Sequence, residues 1–135
     1  MVDKNTGHCL CSGIEYEAKG LLRPIVYCHC EQCHRTSGNL VAATACDLKD
    51  LALTKNESLG WYRSSQIAQR GFCSNCGSTL FWKPEHDNYI CIMAWTQNRP
   101  SGLKAERHRF VPDLSDYYAI DDGLPQHADD GPMTP

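Results

Sequence analysis

The distribution of cysteine constrains this chain more than any other feature. Nine of its 135 residues are cysteine, and seven of the nine fall in three tight clusters. The first is Cys9-Leu10-Cys11, the second Cys28-His29-Cys30-Glu31-Gln32-Cys33, and the third Cys73-Ser74-Asn75-Cys76 followed by Gly77. The N-terminal stretch carries no apolar segment behind Lys4, so a secretory leader is not expected and a reducing, cytoplasmic setting is. In such a setting clustered thiols are more often metal ligands or catalytic groups than disulfides, and an odd total suits a closed disulfide framework poorly.

The third cluster carries the most specific local signal. A C-x-x-C segment folded as a tight turn brings both sulfurs to one metal, and Gly77 can take positive φ there without steric cost. Cys73 and Cys76 then supply two of the four thiolates of a closed tetrahedral zinc site. Two assignments complete it. Cys9 and Cys11, at i and i+2, point to one side of an extended segment and form a suitable second pair. Alternatively, Cys30 and Cys33 join Cys73 and Cys76 as a zinc ribbon, leaving Cys9, Cys11 and Cys28 unused. Four plus three uses every clustered cysteine, which favours the first assignment and leaves the second open.

Under the first assignment, Cys28, Cys30 and Cys33 are three thiolates within six residues. Three protein ligands with an open position mark a catalytic zinc, and four mark a structural one. A zinc held this way can bind a water or an incoming thiol and lower its pKa. The competing reading has Cys46, His29, His34 or a distant residue closing the fourth position, which makes the site inert. Cys46 and Cys91 lie in apolar runs, and both read as small core residues.

The rest of the chain is a series of short strand-like segments. Ile14–Ala18 alternates apolar with charged residues, and Ile25–Tyr27, Leu40–Cys46, Leu51–Leu53, Trp61–Tyr62, Thr79–Trp82, Tyr89–Trp95 and Arg107–Val111 continue the pattern. Gly20, Gly38, Gly60, Gly71, Pro84 and Pro100 punctuate them, as in a mainly β, antiparallel domain. Helix is expected only as single turns, around Glu31–Arg35 and Leu114–Tyr118. One domain over residues 5–125 and a mobile tail over 126–135 describe the chain. A net charge of -3 with scattered Lys and Arg argues against nucleic acid, and no apolar run approaches the roughly 18 residues of a membrane span.

Taken in order, the three clusters and their flanks resemble the glutathione-dependent formaldehyde-activating enzyme family, also called the centromere protein V family. The matching stretches are Gly7–Gly13, Tyr27–Gly38 and Arg70–Phe81, with weaker likeness in His108 and in Asp121-Asp122-Gly123-Leu124-Pro125. The resemblance implies a β-tent fold with two zinc ions. Cys9, Cys11, Cys73 and Cys76 would hold the structural ion, and Cys28, Cys30 and Cys33 the catalytic one, its fourth position open. It further implies a carbon–sulfur lyase of the S-(hydroxymethyl)glutathione synthase type, joining glutathione to formaldehyde or releasing it. Two stretches depart from the family pattern, Ala94-Trp95-Thr96-Gln97 and Tyr117-Tyr118, and they put the substrate in question rather than the ligands.

On that reading the partners are a small thiol and a small aldehyde, with homo-oligomerisation left open. Glutathione carboxylates need cations, for which Arg35 is the first candidate and Arg63, Arg70 and Lys83 follow. His29 and His34 are candidates for moving a proton or orienting a ligand. Trp82 and Trp95 are read as core residues that can also line a pocket. Two other classes stay in view: a zinc-stabilised binding module without catalysis, and a thiol redox sensor built on Cys28, Cys30 and Cys33.

Overall fold

A computed structural model describes residues 4–131. Strands β1 (Lys4–His8), β2 (Glu15–Lys19) and β5 (Leu51–Lys55) form a small antiparallel sheet in the order β1-β2-β5. The second sheet contains β3 (Ile25–Cys28), β4 (Val41–Asp47), β6 (Leu59–Arg63), β7 (Ala68–Cys73), β8 (Thr79–Pro84), β9 (Tyr89–Met93) and β10 (Ala105–Arg109). Its order is β10-β3-β4-β9-β8-β7-β6. The single α-helix among the described residues, α1 (Glu31–Ser37), follows β3 directly. The domain is mainly β, as the segment pattern implies.

Alternation explains how the sheets stack. In β2, Tyr16 and Ala18 are buried, whereas Glu15 and Glu17 face outward and pair with Lys55 and Lys4 at 2.7 and 2.9 Å. The near-continuous apolar runs of β4 and β9 arise because both faces of these central strands are covered. Cys46, Ile90 and Ile92 face the small sheet, and with Ile14, Tyr16, Leu80 and Phe81 they form the inter-sheet core. Ala43, Ala45, Cys91 and Met93 face the other way and pack with Cys28, Cys33 and Val41. The Tyr16 ring meets Phe81 edge-on with centroids 5.6 Å apart, and its hydroxyl bonds Thr96 Oγ1 at 2.8 Å. A Cβ at Gly7 would overlap that hydroxyl and the Thr96 carbonyl.

Three features differ from the sequence-based expectation. β10 runs parallel to β3, so the large sheet is not wholly antiparallel. The segment Leu114–Tyr118 is not helical. The turn instead spans Val111–Asp113, where Pro112 presets a helical φ and Phe110 enters at φ 55. Trp95, read as a core residue, is 83% exposed at the end of β9 and lies under the Arg99 guanidinium, 5.7 Å from its centroid. Over its described part, the C-terminal segment hydrogen-bonds along β10 and beyond: His127 N–H donates to His108 O, and Phe110 N–H to Asp129 O. Pro132–Pro135 lie outside the described residues.

Candidate metal centres

The first and third clusters meet. The sulfurs of Cys9, Cys11, Cys73 and Cys76 lie within 4.8 Å of one another, although more than sixty residues separate the pairs in sequence. Cys9–Cys11 and Cys11–Cys73 are each 3.7 Å apart, far beyond a disulfide length of ~2.05 Å. A tetrahedron with arms of ~2.3 Å has edges of about 3.8 Å, so these spacings suit a four-thiolate zinc site.

The backbone at both turns is built around sulfur. Gly77 adopts φ 78 and returns its N–H to Cys73 O at 2.8 Å, the left-handed closure foreseen for this C-x-x-C-G turn. Backbone N–H groups of Ile14 and Cys76 donate to Cys9 and Cys73 sulfurs at 3.3 and 3.4 Å. The Ser58 hydroxyl reaches Cys73 Sγ at 3.3 Å. Ser78 Oγ lies 3.2 Å from Cys76 Sγ and accepts the Leu10 N–H at 3.0 Å. Hydrogen bonds from the Ser78 hydroxyl and backbone first, then from the Cys11 backbone and Cys73, hold Cys76 well below the ordinary thiol range, at about 5. Such donors favour thiolates, the form a metal binds.

The middle cluster forms a separate group of three. Cys28 ends β3, Cys30 caps α1 and Cys33 lies one turn in, with all three sulfurs within 4.8 Å. Extended geometry through Cys30 (φ -67, ψ 157) followed by helix is what lets six residues converge three sulfurs. The Cys33 N–H donates to Cys30 Sγ at 3.4 Å, and the buried Arg70 guanidinium lies 3.8 Å from Cys33 Sγ. Thiol hydrogen bonds from Cys28 and Cys33, then the Cys33 N–H and the Arg70 charge, push Cys30 far below the normal thiol range. Cys28 and Cys33 move upward as its proton-bearing partners. An all-sulfur donor set of this kind suits zinc here too.

His29, between two of these cysteines, turns to the opposite side of the strand and is fully buried. Its Nδ1 lies 2.9 Å from Tyr118 Oη and its Nε2 2.8 Å from His108 Nδ1; His108 Nε2 in turn lies 2.8 Å from Asp122 Oδ2. In the sequence His108, Tyr118 and Asp122 stand out only as likenesses to, or departures from, a family pattern. Their sequence separation hides that they form one polar chain.

The other candidates are placed differently. His34 engages two carbonyls, Asn39 O at 2.8 Å from Nδ1 and Asp113 O at 3.2 Å from Nε2, tying α1 to the following loop. Arg35 is exposed on a different face of α1 from Cys33 and pairs with Glu31 at 3.6 Å. With His34, Asp113 and Tyr117 it lines a groove of about 720 Å³. Arg63 pairs with Glu85 on the exposed edge hairpin. Of the cationic candidates, Arg70 is the one that reaches the three cysteines.

The family model of the glutathione-dependent formaldehyde-activating enzyme matches residues 4–115. The chain belongs to this family. An uncharacterized lyase of Schizosaccharomyces pombe is 32% identical over 113 residues, covering 83% of this chain and 82% of the relative. A Rhodobacter sphaeroides protein of known crystal structure shares the fold. Its TM-score is 0.58 at 22% identity, with 74% of this chain and 97% of that one covered. All seven clustered cysteines and His108 fall inside the family match, whereas Tyr118 and Asp122 lie beyond it. Both ends of the polar chain are therefore supplied by residues that follow the matched segment.

Proposed function

We propose that this family member is a zinc-dependent lyase-type enzyme that adds a small thiol, glutathione-like, to formaldehyde or a related aldehyde, and catalyses the reverse. Cys9, Cys11, Cys73 and Cys76 would hold a structural zinc, and Cys28, Cys30 and Cys33 a catalytic one. The observation that carries the reading is the contrast between four converging sulfurs at one centre and three at the other, together with the family and the lyase name of the yeast relative. Zinc at the three-sulfur centre would supply a Lewis-acidic position where an incoming thiol persists as thiolate at neutral pH.

The chain's own residues would do the rest. Cys33 N–H and Arg70 stabilise negative charge on the cysteine sulfurs, and the Arg70 guanidinium is held by Gln32 Oε1 at 3.2 Å. Gln32 is fixed through its Nε2 to Ser64 O at 3.0 Å, so helix and edge strand are braced together. His29 orients the peptide between Cys28 and Cys30 through its buried bonds to Tyr118 and His108. In the overall reaction a C–S bond forms between thiol sulfur and carbonyl carbon, and the thiol proton ends on the carbonyl oxygen. The reverse step returns both.

The test is proton NMR exchange between formaldehyde and glutathione, with and without the zinc-loaded chain, beside Cys30→Ser. The reading expects faster exchange with the protein and a loss of that gain in the variant. Equal rates with protein, with variant and without either would remove the reaction.

A further inference from the structure

The sheet face that carries Cys28 also carries buried positive charge. Arg107 and Arg109 of β10 stand opposite Val26 and Cys28 of β3, which in turn stand opposite Ala43 and Val41. All these side chains therefore leave the sheet on one side. Arg23, just before β3, reaches the same side. Its Nη2 donates to Ala43 O at 3.1 Å, and its charge acts on Cys91 and Tyr89 together with that of Arg109. Arg70 stands in the cross-strand row Arg70, Trp82, Cys91, Ala45 and closes the opposite flank.

The counter-charge is short at Arg23 and Arg109. Arg107 pairs with Glu106 at 2.6 Å, whereas among the described residues the ion-pair partner of Arg109 is the exposed Asp130, at 3.5 Å. Among the described residues no carboxylate forms an ion pair with Arg23, which is 8% exposed, and the Nε atoms of Arg23 and Arg109 are buried without hydrogen-bond partners. Burial, then the Arg109 and Arg107 charges, lower the Arg23 pKa. A buried guanidinium left short of acceptors is unfavourable unless an anion completes it. The middle of this face is lined by small side chains, Ala43, Ala45 and Cys91, with Trp82, Tyr89 and Phe110 packed around them. Arg109 is the direct cross-strand partner of Cys28, one strand spacing of ~4.8 Å away.

We infer that this face is a carboxylate-binding subsite: Arg23 and Arg109 receive a carboxylate of the thiol substrate whose sulfur lies at Cys28, Cys30 and Cys33. The inference rests on the proposed thiol–aldehyde reading and narrows it to anionic thiols. It also moves the cationic role from Arg35, which faces solvent beside Glu31, to two arginines on the cysteine side of the sheet. A bidentate guanidinium–carboxylate contact gives both charge and orientation, which a lone surface arginine does not.

The experiment is calorimetric binding of S-methylglutathione to the zinc-loaded chain, compared with its diethyl ester. The methyl cap removes the thiol proton and both ligands keep the same backbone, so the comparison reads the carboxylates. The acid is expected to bind about tenfold or more tighter than the ester, with an affinity that falls as salt rises. Arg109→Gln and Arg23→Gln are each expected to weaken the acid by about tenfold or more while leaving the ester unchanged. If Arg23→Gln does not fold, Arg109→Gln decides alone, its fold checked by circular dichroism. Equal binding of acid and ester, no binding of the acid, or unchanged binding in Arg109→Gln overturns the subsite. No aldehyde and no turnover enter this readout, so charge-selective binding without exchange activity would sink the lyase reading alone. Exchange activity without charge selectivity would sink the subsite alone.

Discussion

His29 Nε2 and His108 Nδ1 lie 2.8 Å apart between two buried imidazoles. One nitrogen must donate and the other accept, so the two tautomers are set together. Asp122 at His108 Nε2 fixes the proton on that nitrogen when both rings are neutral. His108 Nδ1 then accepts from His29 Nε2–H, and His29 Nδ1 accepts the Tyr118 hydroxyl proton. Burial, followed by the neighbouring His108, lowers the His29 pKa and favours that neutral form.

The chain therefore has a defined direction and an order of cost. His108→Ala leaves His29 Nε2 buried and unpaired, and should destabilise the zinc-loaded protein by about 1–3 kcal/mol. Tyr118→Phe removes one neutral hydroxyl near the surface end of the chain and should cost about 1 kcal/mol. Urea unfolding of both variants at fixed zinc checks the order. A His108→Ala cost equal to or below that of Tyr118→Phe would show that the imidazole pair is not held as described.

Ser78 connects the two halves of the four-cysteine centre, accepting from Leu10 N–H while lying 3.2 Å from Cys76 Sγ. Ser78→Ala keeps every sulfur but removes both contacts. Its metal should be lost to a chelator at roughly tenfold lower chelator concentration, in the range usual for outer-shell partners of metal ligands. The loss should be accompanied by unfolding, because this centre ties β1 to the β7–β8 turn. Metal release without loss of folded structure would contradict that role.

Cys46 tests the distinction between clustered and solitary cysteines. Burial, then the nearby Asp50 and Asp47, push its thiol up to about 12. Its neutral form is favoured by the fold. That contribution is fully present below the ordinary thiol pKa of ~8.5 and is lost as pH climbs through the raised value. In the folded, zinc-loaded protein Cys46 should stay unmodified by iodoacetamide at pH 8, as read by peptide mass spectrometry. Alkylation of Cys46 as fast as Cys30 under those conditions would refute the assignment.

What the sequence reveals follows the range of its signals. The C-x-x-C-G turn, the i, i+2 pair and most strands rest on contacts a few residues apart, and these are legible. Missing from that reading are β1 and β7, and for a reason. The sequence Lys4-Asn5-Thr6-Gly7-His8 has no apolar alternation, and Ala68–Cys73 carries Arg70 and Gly71 inward, where a strand pattern calls for larger apolar side chains. Parallel pairing of β10 with β3 and the meeting of His29 with His108 depend on chain return over some eighty residues, which no local period encodes. Arg35 is adjacent to the cysteines in sequence but faces away in space. Arg23 and Arg109 show the reverse.

Gly7 illustrates the same point in a single residue. In β1 it reads as a weak strand position, yet it faces the Tyr16 hydroxyl so closely that no Cβ fits. Gly7→Ala should destabilise the domain by about 1–3 kcal/mol or more, by displacing Tyr16 from Thr96. Thermal unfolding of the zinc-loaded variant measures this, and an unchanged midpoint would show that β1 does not pack on β2 as closely as described.

The most direct measurement is cadmium NMR of the cadmium-substituted chain titrated with glutathione. Two resonances of equal intensity are expected, in the all-sulfur region. One, from Cys9, Cys11, Cys73 and Cys76, should stay fixed. The other, from Cys28, Cys30 and Cys33, should shift as a fourth sulfur joins it. Two resonances that both ignore the added thiol, or a single resonance at full loading, would contradict a metal centre open to substrate.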